Sequence, residues 1–302
     1  MKTIPDSLSK KLVGLEPHLS AKIIGQDHVI PRVCSVLERA LLDLTPDDKP
    51  LGSLLFLGPT GVGKTQLTLE FAKFLFGDDA LFRFDMSEFQ HIDSVKLFMG
   101  DEGGREGRLG QILAGHSRGV LLFDEIEKAN RLIWDLFLQM TDAARITLAD
   151  HRTYYLSGFV LVFTSNIGAQ SLLRPTRLPF TTLERAVLAE LHRVFRPEFI
   201  GRFDEKIVFK PLAQETQRRI AQVGITDELD RLASKGHHLT VESEVIEFLI
   251  RRGIHKTLGA RPLQQVVRKH LGDVVRDAVK LNQPSSGRIR VSANFERLVF
   301  VV

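Results

Sequence analysis

The run Gly58-Pro59-Thr60-Gly61-Val62-Gly63-Lys64-Thr65 places glycines, an ammonium and a hydroxyl in one short stretch. A phosphate needs hydrogen-bond donors and positive charge but no bulk. Glycines let the backbone fold around it, and a helix that follows aims its free N–H groups at it. In that arrangement Lys64 meets the β- and γ-phosphates of a nucleoside triphosphate and the Thr65 hydroxyl holds a magnesium ion. A chance glycine-rich turn is the alternative. The setting disfavours it, because the apolar run Leu54-Leu55-Phe56-Leu57 precedes the loop and Leu67 and Phe71 follow in helical phase.

Hydrolysis needs a carboxylate on the magnesium side and a base for water. The run Leu121-Leu122-Phe123-Asp124-Glu125 offers both at the C-terminal end of an apolar segment, where α/β proteins build their sites. Asp124 would accept hydrogen bonds from magnesium-bound water, and Glu125 would orient and deprotonate the attacking water. The competing reading is a pair of surface acids capping the next helix. Thr164-Ser165-Asn166 ends the apolar segment Phe159-Val160-Leu161-Val162-Phe163, so Asn166 can stand beside Asp124 and share the positioning of water. Alone, it would read as the start of a turn. Glu127 and Lys128 read as structural or solvent-facing charges.

These residues need elements to hold them. Strands are expected at residues 54–57, 81–84, 120–123, 159–163 and 206–209. Amphipathic helices are expected around Ile30, Val33, Leu37, Leu41 and Leu44, after the phosphate loop, at residues 132–140 and at residues 183–194. Alternation of buried strands with helices predicts a mostly parallel sheet covered on both faces. Residues 99–107 are polar and glycine-dense and read as a loop. Residues 145–156 read as a hairpin with its tip at Asp150-His151-Arg152. Residues 1–20 read as a short lead-in, residues 21–210 as the large domain, and residues 211–302 as a smaller lid. The lid is mainly helical, with its best stripe at Leu263, Val266, Val267, Leu271 and Val274, and it closes in a short β element.

Composition narrows the function. The 302 residues are 43% hydrophobic and 26% charged, proportions of a globular protein rather than a disordered or fibrous one. No apolar run approaches the roughly 18 residues of a membrane span. The N-terminus has no apolar signal region, from which a cytoplasmic location is expected. Cys34 is the only cysteine, which excludes an internal disulfide and a cysteine-based zinc site. A net charge of +4 without a basic block is weak support for nucleic acid binding.

With these segments in hand, the sequence resembles the Clp-type AAA+ ATPases, and most closely the second ATPase module of the ClpB and ClpA unfoldases. The matching segments are Ile24-Gly25-Gln26, GPTGVGKT at 58–65, FDMSEF at 84–89, LLFDEIEKAN at 121–130, FTSNIG at 163–168, FRPEFIGRFDE at 195–205 and GARPL at 259–263. The resemblance implies an α/β P-loop large domain plus a small helical lid, with ATP and Mg2+ as ligands. It places Ile23 and Ile24 around the adenine. It makes Arg261 the lid arginine that reaches the γ-phosphate and Arg202 the arginine finger that acts on a neighbour's ATP. On residue type alone, Arg196 and Arg202 would pass as surface charges. The implied assembly is a ring, commonly of six copies, acting on a protein substrate or partner complex, with neither membrane nor nucleic acid expected.

The sequence also departs from that family. The Gly-Tyr-Val-Gly type loop that grips polypeptide is missing, and the chain passes from Val95-Lys96-Leu97-Phe98-Met99 directly into the glycine-rich turn. Phe98 and Met99 are candidates for an apolar grip or for helix core. A first ATPase module, a receptor domain and a coiled-coil insertion are not found. No Ile/Leu-Gly-Phe tripeptide is present, so docking to ClpP is not expected. Gly201 replaces the asparagine usual before the finger, and Ala149-Asp150-His151 replaces a glycine-containing hairpin tip.

Overall fold

The computed structural model describes residues 6–101, 103–253, 261–284, 286–294 and 296–301. The chain forms two units, one of residues 1–59 and 63–210 and one of residues 60–62 and 211–302. In chain order the first unit carries α1 (Asp6–Lys22), α2 (Ile30–Leu41), β1 (Gly52–Leu57), α3 (Lys64–Phe76), β2 (Leu81–Asp85), α4 (Ile92–Met99), α5 (Arg108–Gly115), β3 (Gly119–Asp124) and α6 (Arg131–Ala143). There follow β4 (Arg145–Thr147), β5 (Thr153–Tyr155), β6 (Phe159–Ser165), α7 (Ala169–Leu173), α8 (Phe180–Val194), α9 (Pro197–Ile200) and β7 (Glu205–Val208).

Five of these strands make one parallel sheet in the order β2-β3-β6-β1-β7. Every residue of β1, β3 and β6 is buried. Strands apolar on both faces need cover on both, which the intervening helices supply. Phenylalanine dominates the core. The Phe123 ring lies 4.8 Å from Phe137, 5.0 Å from Phe163 and 5.4 Å from Phe84, all fully buried. Each such side chain contributes roughly 1.5–3 kcal/mol by burial.

Register decides what meets at the sheet's C-terminal edge. Leu57 pairs with Ser165, Phe123 with Phe163, and Asp85 with Asp124. The phosphate loop, the Asp124-Glu125 pair and Asn166 therefore leave adjacent strands at one level.

Two segments differ from expectation. A lead-in is expected over residues 1–20, but α1 runs from Asp6 to Lys22, with Leu15 and Leu19 fully buried and Lys11 Nζ donating to the Leu75 carbonyl at 2.9 Å. Pro17 hid this helix from a reading by composition. Phe98, considered as a grip, is fully buried, with its ring 5.2 Å from Phe84 and 5.1 Å from Phe89. Val95 and Phe98, three apart, face inward together, and Met99 packs half-buried on the same core. The apolar residues that α4 exposes are Ile92 and Leu97, at 59% and 66%. The hairpin β4-β5 forms as expected. Tyr154 donates its hydroxyl proton between Glu106 and Asp150, fastening the glycine-rich loop to the hairpin.

The second unit carries α10 (Gln214–Ala233), β8 (His238–Val241), α11 (Ser243–Gly253), α12 (Arg261–Lys280), β9 (Ser286–Val291) and β10 (Leu298–Val301). Its own core joins Ile225, Leu249, Leu263, Leu271 and Ile289. The sheet order is β10-β9-β8, with β8 parallel to β9. Strand β8 was not foreseen, because its four residues His-Leu-Thr-Val never become fully buried and leave little periodic signal.

Candidate nucleotide site

The loop follows β1 directly. The Gly58 N–H donates to the Ser165 carbonyl at 3.2 Å, so loop and β6 are tied at the sheet edge. Gly58 has φ +130°, and a Cβ there would stand 2.8 Å from the Phe209 carbonyl oxygen; only glycine fits. Gly63, at φ +109°, caps α3 without a side chain of its own, leaving the first-turn N–H groups facing outward from the helix start. Thr60 and Gly61 are half-buried, Val62 is buried, and Thr65 lies half-buried in the first turn of α3.

Lys64 is turned inward and is 8% exposed. Its Nζ donates to the Gly58 carbonyl, to the Pro59 carbonyl at 3.0 Å and to Asn166 Oδ1 at 3.1 Å. Burial lowers its pKa to about 8, against the opposing pull of Glu127, Asp124 and Glu125. Asn166 turns its amide the other way, donating from Nδ2 to Glu125 Oε1 at 2.9 Å. Lys128 Nζ donates to Glu125 Oε2, so both oxygens of the candidate base are held. Glu125 itself adopts φ +57° and ψ +50°, a left-handed conformation costing a non-glycine residue roughly 1–2 kcal/mol. Strain of this kind concentrates at functional sites.

Asp124 is 5% exposed. Thr164 Oγ1 donates to its Oδ1 at 2.8 Å, and Arg83 Nε donates to its Oδ2 at 2.6 Å. A carboxylate accepts about four hydrogen bonds. The carboxylate keeps acceptor capacity beyond these two bonds among the described residues, and its oxygens and the Thr65 hydroxyl are of the type a hard, oxygen-liking cation takes.

Sequence reasoning passed over Arg83 and Thr164 and read Glu127 and Lys128 as structural or solvent-facing charges. Arg83 carried a usable signal, a cation flanked by the apolar Phe82 and Phe84 inside β2. Glu127 carried none, since its use depends on Asn166, 39 positions away, whose N–H donates to Glu127 Oε1 at 3.0 Å.

Ile23 is buried and Ile24 half-buried in the turn after α1. The neighbouring Gln26 is fully buried, donating to the Lys210 carbonyl at 2.9 Å and accepting from the Lys210 N–H at 3.1 Å. Arg202 is not among the partners of the loop. Its Nη1 pairs with Asp142 Oδ1 at 2.6 Å, and it lines a cleft of about 440 Å3 with Leu138, Gln139, Arg145 and Glu198. Arg196 is 73% exposed, 3.7 Å from Asp135. Arg261 begins α12, and its side chain lies outside the described residues, as do Gly259 and Ala260.

A strand, a glycine loop closing on a buried lysine, and a helix N-terminus at the C-terminal edge of a parallel sheet define a P-loop nucleotide-binding protein. A family model described as the AAA domain (Cdc48 subfamily) matches residues 49–206, and one described as the C-terminal, D2-small domain of ClpB protein matches residues 212–291. The chain belongs to the AAA family, and within it resembles the second module of the Clp-type AAA+ protein ClpB.

Chaperone protein ClpB of Aquifex aeolicus is 39% identical over 284 residues, covering 89% of this chain and 28% of that protein. Heat shock protein 100 of Trypanosoma brucei brucei is 35% identical over 295 residues, covering 94% of this chain and 34% of its own length. A closed-state cryo-EM reconstruction of Hsp104 with ATPγS and FITC casein superposes with a TM-score of 0.86 at 27% identity, over 100% of this chain and 53% of that one. The extended Saccharomyces cerevisiae Hsp104:casein complex gives the same score over 99% and 53%. The chain spans about a third of the curated relatives it matches, between 28% and 35% of their length. Among the described residues no helix is long and apolar enough to cross a membrane.

Proposed function

We propose that this chain hydrolyses ATP within an oligomeric ring, with six copies the expected number, and couples the cycle to remodelling a protein or protein complex. One observation carries the reading: Asn166 bridges Lys64, the phosphate-side cation, to Glu125, the candidate base, with Asp124 on the adjacent strand. Lys64 and the α3 N-terminus would bind the phosphates, with Gly58, Pro59, Thr60, Gly61, Val62 and Gly63 forming the wall around them. Ile23 and Ile24 would enclose the base. Glu125 would take a proton from the attacking water while Asn166 fixes its orientation. Thr65 and Asp124 would hold Mg2+, which when bound neutralises developing phosphate charge. Arg261 would act on its own subunit's γ-phosphate and Arg202 on a neighbour's. The Hsp104:casein complexes support protein as the substrate class.

The test is an ATPase titration against protein concentration, with fluorescent nucleotide binding in parallel. Turnover per subunit should rise with concentration, and Glu125→Gln should abolish turnover while retaining nucleotide. No turnover at any concentration, or an unchanged Glu125→Gln rate, overturns the reading.

The burial of Phe98 favours a second reading, an ATP-switched module that assembles on a dedicated partner without threading polypeptide. Threading of a fluorescent unfolded protein separates the two: robust translocation rules out the pure switch.

A further inference from the structure

Glu127 stands three residues beyond Asp124, in the 3-10 turn Ile126–Lys128. One of its oxygens, Oε1, accepts the Asn166 N–H at 3.0 Å. The other, Oε2, is buried without a hydrogen-bond partner among the described residues. Native proteins pair nearly all buried polar atoms, so a half-buried carboxylate with one oxygen buried and unpaired needs a reason other than stability. Its position supplies one. Strand β6 ends at Ser165, and the ladder that pairs β6 with β1 ends with it. Asn166 is the first residue past the sheet, where no strand remains to fix its main chain. It is also the residue whose amide divides between Lys64 and Glu125.

We propose that Glu127 is a positioning residue for ATP hydrolysis, holding the Asn166 main chain where the ladder ends so that its amide stays aligned between Lys64 and Glu125. In this role Glu127 acts through Asn166, apart from the charge it lends to Lys64. A small main-chain rotation at residue 166 would move the amide off both partners, and catalytic geometry tolerates little displacement. The acceptor, rather than the negative charge, performs this task. Glutamine, which keeps an acceptor oxygen at the same reach, should substitute; alanine should not.

The inference rests on the ATPase reading above, so one arm of the test avoids turnover. Hydrogen exchange of the peptide spanning residues 163–169, followed by mass spectrometry in wild type, Glu127→Ala and Glu127→Gln, should show faster exchange at the Asn166 amide in the alanine variant only. In steady-state assays Glu127→Ala should lower kcat at least tenfold, with the Kd of a fluorescent ATP analogue within threefold of wild type. Glu127→Gln should recover kcat to within threefold. Glu127→Ala/Asn166→Ala should be no slower than Asn166→Ala alone, because both act on one group.

Thermal unfolding guards against trivial loss of fold, and Glu127→Gln should melt no lower than wild type. The proposal is overturned if exchange at Asn166 is unchanged in Glu127→Ala, if that variant keeps its kcat, if Glu127→Gln is as slow as Glu127→Ala, or if the double variant shows additive losses. An inactive wild type with faster exchange in Glu127→Ala would remove the ATPase reading and leave the positioning contact standing.

Discussion

At Lys64 two demands conflict. Phosphate recognition wants a charged ammonium, while burial disfavours it and brings its pKa to about 8. The protonated form predominates at pH 7, and nucleotide phosphates would hold the proton more firmly. Because the free-site pKa lies below the usual lysine value, the ammonium is lost as pH rises through about 8, and binding then requires proton uptake. The affinity of a fluorescent ATP analogue should be flat from pH 6.5 to 7.5. It should weaken towards tenfold per pH unit above about 8.5, and a flat profile to pH 9.5 would refute this account. The same lowered pKa means burial of the ammonium opposes folding below pH 8, a cost that fades between pH 8 and 10.5. Cys34 illustrates the opposite sign. Burial, aided by Glu16 and Glu38, raises its thiol to about 12, so iodoacetamide should label it within minutes only after denaturation.

The elements explain which parts of the sequence are structural and which are spare. On α4, Phe98 and Leu97 are adjacent apolar residues with opposite fates, 0% and 66% exposed. Phe98→Ala should destabilise the first unit by about 3–5 kcal/mol in urea unfolding. Leu97→Ala should change it by no more than about 0.5 kcal/mol. Neither fate is legible from residue type; both follow from helical phase relative to Val95. The sheet strands were legible because residues apolar on both faces admit little but a covered parallel sheet. Helix α1 and strand β8 were not, since an internal proline interrupts one and partial exposure of both faces blurs the other.

For the whole molecule, the second unit has a core of its own around Ile225, Leu249, Leu263, Leu271 and Ile289. Residues 211–302 expressed alone should therefore unfold cooperatively by far-UV circular dichroism; a broad, non-cooperative melt would contradict this. The first unit presents Arg202 in a cleft, paired with Asp142. If Arg202 serves a neighbouring copy, Arg202→Ala should reduce turnover by roughly three to five orders of magnitude with nucleotide affinity kept. Mixing it with Lys64→Ala subunits should restore part of the rate, since each copy supplies what the other lacks. Mixtures as inactive as their components would place the arginine's role elsewhere.

The sequence by itself determined the phosphate loop, the acid pair after β3 and the parallel α/β class, because each is written in contiguous residues whose spacing reports local geometry. Only the tertiary structure decided that Glu127 holds Asn166, that Arg83 faces Asp124 and that Phe98 turns inward. The first two join residues 39 and 41 positions apart through strand register, and the third depends on which side of α4 meets the core. Neighbours along the chain carry no record of either.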